Sequence, residues 1–169
     1  MSAGIEAITV EILVTGLPSS GKSTLMQTIS HQTGYENDDP TSWHTGTLTV
    51  EEGLDVHFVE PPSLDHFDFI ELRDLISDAD VHGFIVMCDS TLPEFFGETL
   101  SILQMIRAYH PETPCVLVGN KQDEDHAWSA EDIRIGLGIP NDILVLPCVA
   151  MEQRSVKQIV LALLYKIFP

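Results

Sequence analysis

The stretch Gly16-Leu-Pro-Ser-Ser-Gly21-Lys22-Ser23 decides the fold, because it follows an apolar run at residues 8–14 and precedes a helical pattern. It is a G-x-x-x-x-G-K-[ST] phosphate loop in the strand-to-helix context that its mechanism requires. Such a loop aims backbone N–H groups and the positive end of a helix at one point, where a polyphosphate fits. The residues expected to bind phosphate are Ser19, Ser20, Gly21, Lys22, Ser23 and Thr24.

Two side chains of this loop have separate expected roles. Lys22 would reach the β- and γ-phosphates as a mobile positive charge. The Ser23 hydroxyl would supply one oxygen ligand to Mg²⁺, an ion that prefers hard oxygen donors. The loop by itself predicts a polyphosphate ligand and leaves the base open.

The rest of the chain alternates short apolar runs with longer amphipathic ones, which predicts an α/β fold with helices on both faces of a parallel sheet. Residues 46–50 and 54–59 flank Glu51-Glu-Gly53, a hairpin signal that adds one antiparallel strand at the sheet edge. We therefore expect a mainly parallel six-stranded sheet. The runs expected to be fully buried strands are residues 8–14, 83–88, 115–118 and 143–146.

Two helices can be placed by their local signals. Ser129-Ala-Glu-Asp132 has the form of a capping box and predicts the start of a brief helix. The last helix carries an apolar stripe at helical spacing that should pack on the sheet. The stripe consists of Val156, Ile159, Val160, Leu163, Leu164 and Ile167.

A second motif, Asn120-Lys121-Gln122-Asp123, follows the buried run at residues 115–118, where open α/β sheets bind ligands. Asp123 can accept two hydrogen bonds from the adjacent N–H donors of guanine, whereas adenine would leave the carboxylate unsatisfied. Asn120 can bond the base and brace the phosphate loop, and the stem of Lys121 can cover the ring face. The second motif therefore narrows the ligand to a guanine nucleotide.

With both motifs intact and one antiparallel edge strand, the chain resembles the small Ras-like GTPases, which are P-loop GTPases, over essentially its whole length. Within that superfamily it is similar to the prokaryotic MglA-like branch. The segments Phe84-Ile-Val-Met-Cys-Asp-Ser-Thr91 and Pro147-Cys-Val-Ala150 carry that second resemblance. The resemblance implies a Mg²⁺-dependent switch that binds GTP and GDP.

The resemblance also implies a base-contacting loop at Val149, Ala150 and Met151, where the Ala150 N–H meets the guanine carbonyl oxygen. Met151 stands where the family has a lysine, and its apolar side chain can cover the base. Two further residues at the Mg²⁺ site are implied. Glu60 replaces the family's aspartate, which holds Mg²⁺ through water, and would serve the outer shell of the ion. Thr41 in Asp39-Pro40-Thr41 offers a hydroxyl ligand, with Thr45 and Thr47 as rival positions.

The segment Glu60-Pro61-Pro62-Ser63-Leu64 departs from the family pattern of Asp-x-x-Gly followed by Gln. Leu64 cannot orient the attacking water, so intrinsic hydrolysis is expected to be slow and to need a partner. No catalytic residue is assigned. A partner is expected to contact residues 33–45 and 60–68. The alternative is a hydrolysis-deficient, nucleotide-bound scaffold, and a P-loop kinase or ATPase is a distant third reading.

Composition limits the remaining possibilities. With 169 residues and 44% hydrophobic content, the chain is expected to form one domain over residues 1–169. A net charge of −18 disfavours nucleic acid and anionic lipid as partners. Ser2 and the terminal Lys-Ile-Phe-Pro predict no direct lipid anchor, and there is no secretory signal pattern. Three cysteines within or beside apolar runs are typical of a reducing compartment, so we expect a cytoplasmic protein.

Overall fold

Six strands form one sheet in the computed structural model, which describes residue 4 and residues 6–30, 43–62 and 68–169. Their order across the sheet is β2-β3-β1-β4-β5-β6. The strands are β1 (Ile8–Gly16), β2 (His44–Glu51), β3 (Leu54–Glu60), β4 (Gly83–Asp89), β5 (Cys115–Asn120) and β6 (Leu144–Pro147).

The sheet is parallel except at one edge. β1 pairs in parallel with β3 on one side and β4 on the other, and the parallel pairing continues through β5 to β6. β2 pairs antiparallel with β3 and forms the edge. The hairpin at Glu51-Glu-Gly53 gives this edge strand, as the sequence predicts. The fold prediction is confirmed: an α/β fold with a mainly parallel six-stranded sheet.

Helices cover both faces because successive strand residues point to opposite sides. α1 and α5 bury their apolar residues with Ile12 and Val14 on one face, whereas α2, α3 and α4 pack with Leu13 on the other. The helices are α1 (Lys22–Ser30), α2 (Phe69–Asp78), α3 (Phe96–Tyr109), α4 (Ala130–Leu137) and α5 (Gln153–Ile167). None of the helices in the described part of the chain is long and apolar enough to span a membrane.

The predicted helix signals act as expected. The Ser129 side chain accepts a hydrogen bond from the Asp132 N–H at 3.1 Å and caps α4, which runs for only 8 residues. In α5 five residues of the predicted stripe are buried, and Ile167 packs against them. The cap of α4 and the buried face of α5 are therefore where the sequence predicts them.

Two of the runs predicted to be fully buried are not. Ile8 at the start of β1 is 53% exposed; it pairs with Leu54 of β3, but the pairing with β4 on the other side begins only at Ile12. β6 starts one residue later than predicted, at Leu144, and its first three residues are only partly buried. The physical reason is position: β6 is the second edge of the sheet, with a neighbouring strand on one side only.

Candidate functional site

The phosphate loop connects β1 to α1 at the carboxyl edge of the sheet. Ser19, Ser20 and Gly21 lie in the loop, and Lys22, Ser23 and Thr24 form the first turn of α1. Gly21 has φ +102°, and a Cβ there would lie 2.0 Å from Asn120 Nδ2. Gly16 has φ +145°, and its Cβ would meet the Met87 carbonyl at 2.3 Å. Because a side chain fits at neither glycine, the backbone itself lines this part of the site.

Lys22 folds back over its own loop. Its Nζ donates to the carbonyls of Gly16 at 3.0 Å and Leu17 at 2.8 Å. Burial lowers the pKa of the Lys22 amine, and the negative charge of Glu60 works in the opposite direction. Two neutral carbonyls therefore hold a largely desolvated cation that an anionic ligand would attract more strongly.

Ser23 and Glu60, two of the residues predicted at the Mg²⁺ site, lie together. The Ser23 hydroxyl donates to Oε1 of Glu60 at 3.3 Å, and Glu60 is only 1% exposed. His44 Nδ1 lies 3.4 Å from the other carboxylate oxygen. This pairing follows from the β2–β3 ladder, in which His44 stands opposite Glu60. Sequence reasoning did not find the histidine contact, because it depends on strand register.

The donor set fits Mg²⁺, which usually binds through one or two carboxylates and ligand phosphates. A hydroxyl and a carboxylate oxygen are hard donors, and here they are within hydrogen-bond distance of each other. Thr41 lies outside the described residues. The rivals Thr45 and Thr47 lie within β2, opposite Val59 and His57. The described part of the chain contains no cluster of three or more His, Cys, Asp or Glu side chains suited to a metal.

Asn120 links the second motif to the phosphate loop. Its Nδ2 donates to the Ser20 carbonyl at 3.0 Å, and its Oδ1 accepts from the Ala150 N–H at 3.0 Å. The side chain is buried at the carboxyl end of β5. The bracing contact expected from the sequence is present. The resemblance assigns the Ala150 N–H to the guanine carbonyl oxygen. In the structure the same N–H donates to Asn120 Oδ1.

Lys121 and Gln122 contact the end of the neighbouring strand β4. Lys121 Nζ lies 2.6 Å from Asp89 Oδ2, and Gln122 Nε2 donates to Ser90 Oγ at 2.9 Å. The Asp89 carboxylate is fixed further by the N–H and hydroxyl of Thr91. Burial alone would raise the pKa of Asp89, but these hydrogen bonds and the Lys121 charge lower it. The predicted motif could not reveal these partners, which belong to another strand.

The predicted base loop at residues 149–151 is held from two sides. Val149 N–H donates to Ser155 Oγ at 2.9 Å, and the Thr28 hydroxyl donates to the Ala150 carbonyl. Met151 is 71% exposed, and Asp123 is exposed as well. Both side chains therefore point away from the core, where a base could lie against them. Thr28 and Ser155 carried no sequence signal, because their contacts with this loop depend on how α1 and α5 pack beside it.

A cavity of about 290 Å³ lies beside Lys22. Trp43, Pro61 and Pro62 form part of its wall together with the first residues of α2. Trp43 is 47% exposed. Of the predicted partner segments, residues 33–45 and 60–68, Trp43 and Pro61 line this cavity, whereas residues 33–42 and 63–67, with Ser63 and Leu64 among them, lie outside the described residues. The cavity therefore leaves room for a ligand beside Lys22.

Comparisons with known proteins agree with this architecture. No protein-family model matches the sequence. Over 129 residues, 76% of the chain, it is 28% identical to ADP-ribosylation factor-like protein 10 of Mus musculus. The matched region spans about half of that relative, 52% of its length. The chain also superposes on the G domain of the T. maritima FeoB iron transporter with a TM-score of 0.70 and 18% identity, covering 94% of this chain and 99% of that one.

The chain has the fold of a G domain. Together with the phosphate loop and Asn120-Lys-Gln-Asp123, the sequence similarity to an ADP-ribosylation factor-like protein supports a small P-loop GTPase. Neither similarity confirms the MglA-like branch.

Proposed function

We propose that residues 1–169 form one guanine-nucleotide-binding domain that binds GTP and GDP with Mg²⁺ and acts as a regulatory switch. The observation that carries the proposal is the double contact of Asn120 with the Ser20 carbonyl and the Ala150 N–H. It joins the phosphate loop, the base motif and the base loop into one site. A chance match of a short motif would not bring these three segments together.

Guanine is the proposed base because of Asp123. Its exposed carboxylate lies beyond Lys121 and Gln122, both of which are fixed by β4. A carboxylate accepts two hydrogen bonds from the paired N–H groups of guanine, and it finds only an acceptor at the corresponding ring nitrogen of adenine. We assign base contacts to Asn120, Lys121 and Asp123, with Val149, Ala150 and Met151 around the ring.

Mg²⁺ would be held by Ser23 and Glu60, with Thr41 as the proposed third ligand. The bound ion would neutralise charge on the phosphates. Lys22, whose amine already lies among the loop carbonyls, would add its own positive charge. Glu60 would keep the Ser23 hydroxyl in place through their hydrogen bond.

Slow hydrolysis of GTP is the proposed reaction, with a partner needed for speed. Leu64 offers no hydrogen bond to water, and Pro61 and Pro62 directly after Glu60 lack backbone N–H groups. The same two prolines favour the alternative, a nucleotide-bound scaffold that does not hydrolyse GTP. The proposed partner is a protein that contacts residues 33–45 and 60–68. The MglA-like branch and a cytoplasmic location remain proposals, the latter supported by three buried free cysteines.

Nucleotide titration of the purified protein tests the proposal. We expect GTP and GDP to bind far more tightly than ATP. Asp123→Asn should weaken GTP and favour xanthine nucleotides, because an amide complements xanthine and not guanine. Asp125→Asn, an exposed neighbour in the same loop, is the matched control and should bind GTP like the parent. Equal affinity of the parent for ATP and GTP would refute guanine recognition.

A further inference from the structure

The carboxyl end of β4 contacts two consecutive residues of the base motif. β4 and β5 pair in register, with Asp89 opposite Asn120. Asp89 Oδ2 therefore lies 2.6 Å from Lys121 Nζ, and Ser90 Oγ lies 2.9 Å from Gln122 Nε2. We propose that Asp89 is a positioning residue that holds Lys121 across the base site and thereby slows nucleotide release. This inference rests on the proposed function, guanine-nucleotide binding.

Lys121 needs such a partner for two reasons. Its backbone has φ +63°, a conformation that a residue with a side chain rarely adopts, so the surroundings must hold it. Its side chain is 36% exposed and has several free torsions, and ordering it only when the nucleotide binds would cost affinity. An ion pair with Asp89 that forms before the nucleotide binds orders the Lys121 side chain in advance. Nucleotide binding then does not have to supply that entropy cost.

Asp89 is suited to hold the amine because it is itself fixed. The Thr91 N–H donates to Oδ1 at 2.9 Å and the Thr91 hydroxyl at 2.6 Å, which leaves Oδ2 for Lys121. Its side chain is only 10% exposed, so water screens the pair less than at the surface. The two hydrogen bonds from Thr91 therefore hold the Asp89 carboxylate in one orientation, in which Oδ2 can accept from Lys121.

Ser90 supports the same arrangement from the next residue. It is fully buried, and its hydroxyl accepts from Gln122, whose amide also donates to the Trp128 carbonyl at 2.8 Å. Side chains at positions 89 and 90 therefore fix positions 121 and 122. Asp123, the next residue, is exposed, where the proposed guanine base would meet it. Because the Gln122 side chain is bound to Ser90 and Trp128, we assign it no contact with the nucleotide.

A purely structural ion pair is the competing explanation. A double-mutant cycle tests whether Asp89 acts through Lys121, and a change in the GDP dissociation rate that exceeds any change in melting temperature separates positioning from a structural role. The variants are Asp89→Asn, Lys121→Met, which keeps the apolar stem, and the combination. We measure the GDP dissociation rate and, separately, the melting temperature without nucleotide. If Asp89 acts through Lys121, each single variant should release GDP about tenfold faster, the size expected for a lost charge-assisted contact. The double variant should then be no faster than the faster single one.

Two further variants complete the test. Thr91→Val keeps the branched shape but loses the hydroxyl donor, and it should raise the release rate by a smaller factor, about threefold. Asp74→Asn, which breaks the exposed Arg73–Asp74 pair on α2, should leave the rate unchanged. Multiplicative effects in the double variant, or a parent-like rate in Asp89→Asn and Thr91→Val, would overturn the inference while guanine binding stands. A parent that retains no guanine nucleotide would instead overturn the proposed function and this inference with it.

Discussion

Ser23 and Glu60 are 37 residues apart in the chain, yet the hydroxyl of one donates to the carboxylate of the other at 3.3 Å. The contact joins the first turn of α1 to the end of β3. Because β3 neighbours β1, the strand that leads into the phosphate loop, both residues reach the same edge of the sheet. Because of this contact, the proposed Mg²⁺ site can be tested by replacing Glu60 with the isosteric glutamine.

Glu60→Gln should weaken Mg²⁺ support of nucleotide binding. Removing the negative charge keeps the shape but loses an oxygen anion beside Ser23, and changes in such partner groups cost about 10–100-fold in metal affinity. The measurement is the GDP dissociation rate as a function of Mg²⁺ concentration. Glu51→Gln, on the exposed end of β2, is the control. An unchanged Mg²⁺ dependence in Glu60→Gln would exclude Glu60 from the metal site.

Gly21→Ala should disrupt the site and lower stability. The new Cβ would lie 2.0 Å from Asn120 Nδ2 at a backbone φ of +102°, so the Asn120 bond to the Ser20 carbonyl must break. Losing a buried hydrogen bond costs about 1–3 kcal/mol, and the strained backbone adds to it. Urea unfolding and GDP binding measure the two effects. Gly97→Ala, in α3 with nothing within 4 Å of its Cβ, should unfold no more easily than the parent.

Leu64→Gln should accelerate GTP hydrolysis. A glutamine amide can orient water, and we expect a single-turnover rate on the order of tenfold higher, below the 10²–10³ of a fully preorganised donor. Leu64→Asn, with the same amide on a shorter stem, is the control and should stay near the parent rate. If the glutamine variant is no faster, the slow step lies with Ser63 or the two prolines. Parent protein without measurable turnover would favour the scaffold alternative.

Alkaline pH should destabilise the fold through its buried thiols. Burial raises the pKa of Cys88 and of Cys115 to about 12, from an ordinary 9.0. Above pH 9 the unfolded chain loses these protons and the folded chain keeps them, so stability present below pH 9 is lost as pH rises toward 12. At pH 10 the loss is on the order of 1 kcal/mol for each thiol.

Urea unfolding at about pH 8 and pH 10 tests the thiol effect. Cys115→Ala removes one titrating group, so its stability should fall less between the two pH values than that of the parent. The comparison uses only this difference, because the alanine variant also loses packing at both pH values. An equal fall in parent and variant would show that other groups cause the alkaline loss.

The sequence was sufficient for features that depend on local patterns. The phosphate loop, the hairpin at Glu51-Glu-Gly53 and the Ser129 cap each lie within a few consecutive residues, and the structure shows the strand-to-helix turn, the edge strand and the cap. The apolar stripe of α5 also depends only on helical spacing. In each case one short segment contains both the signal and the structure it specifies.

Contacts between segments could not be predicted in the same way. Asp89 with Lys121 and His44 with Glu60 depend on which strands are neighbours and in what register. The partial exposure of β6 likewise depends on its place at the sheet edge, although its residues are as apolar as those of a central strand. Residue type sets what each side chain can do, and the strand order sets which partner it meets.

The two contacts of Asn120 with residues distant in sequence have a consequence for folding of the chain during its synthesis. The side chain contacts Ser20, 100 positions earlier, and Ala150, 30 positions later. Chains grow from the amino end, and contacts between distant residues form late in folding. The phosphate loop therefore leaves the ribosome long before Ala150 can join it through Asn120. A nascent chain should gain affinity for the proposed guanine nucleotide only after Ala150 has reached Asn120, so binding would distinguish chains folded through this segment from those not yet synthesised that far.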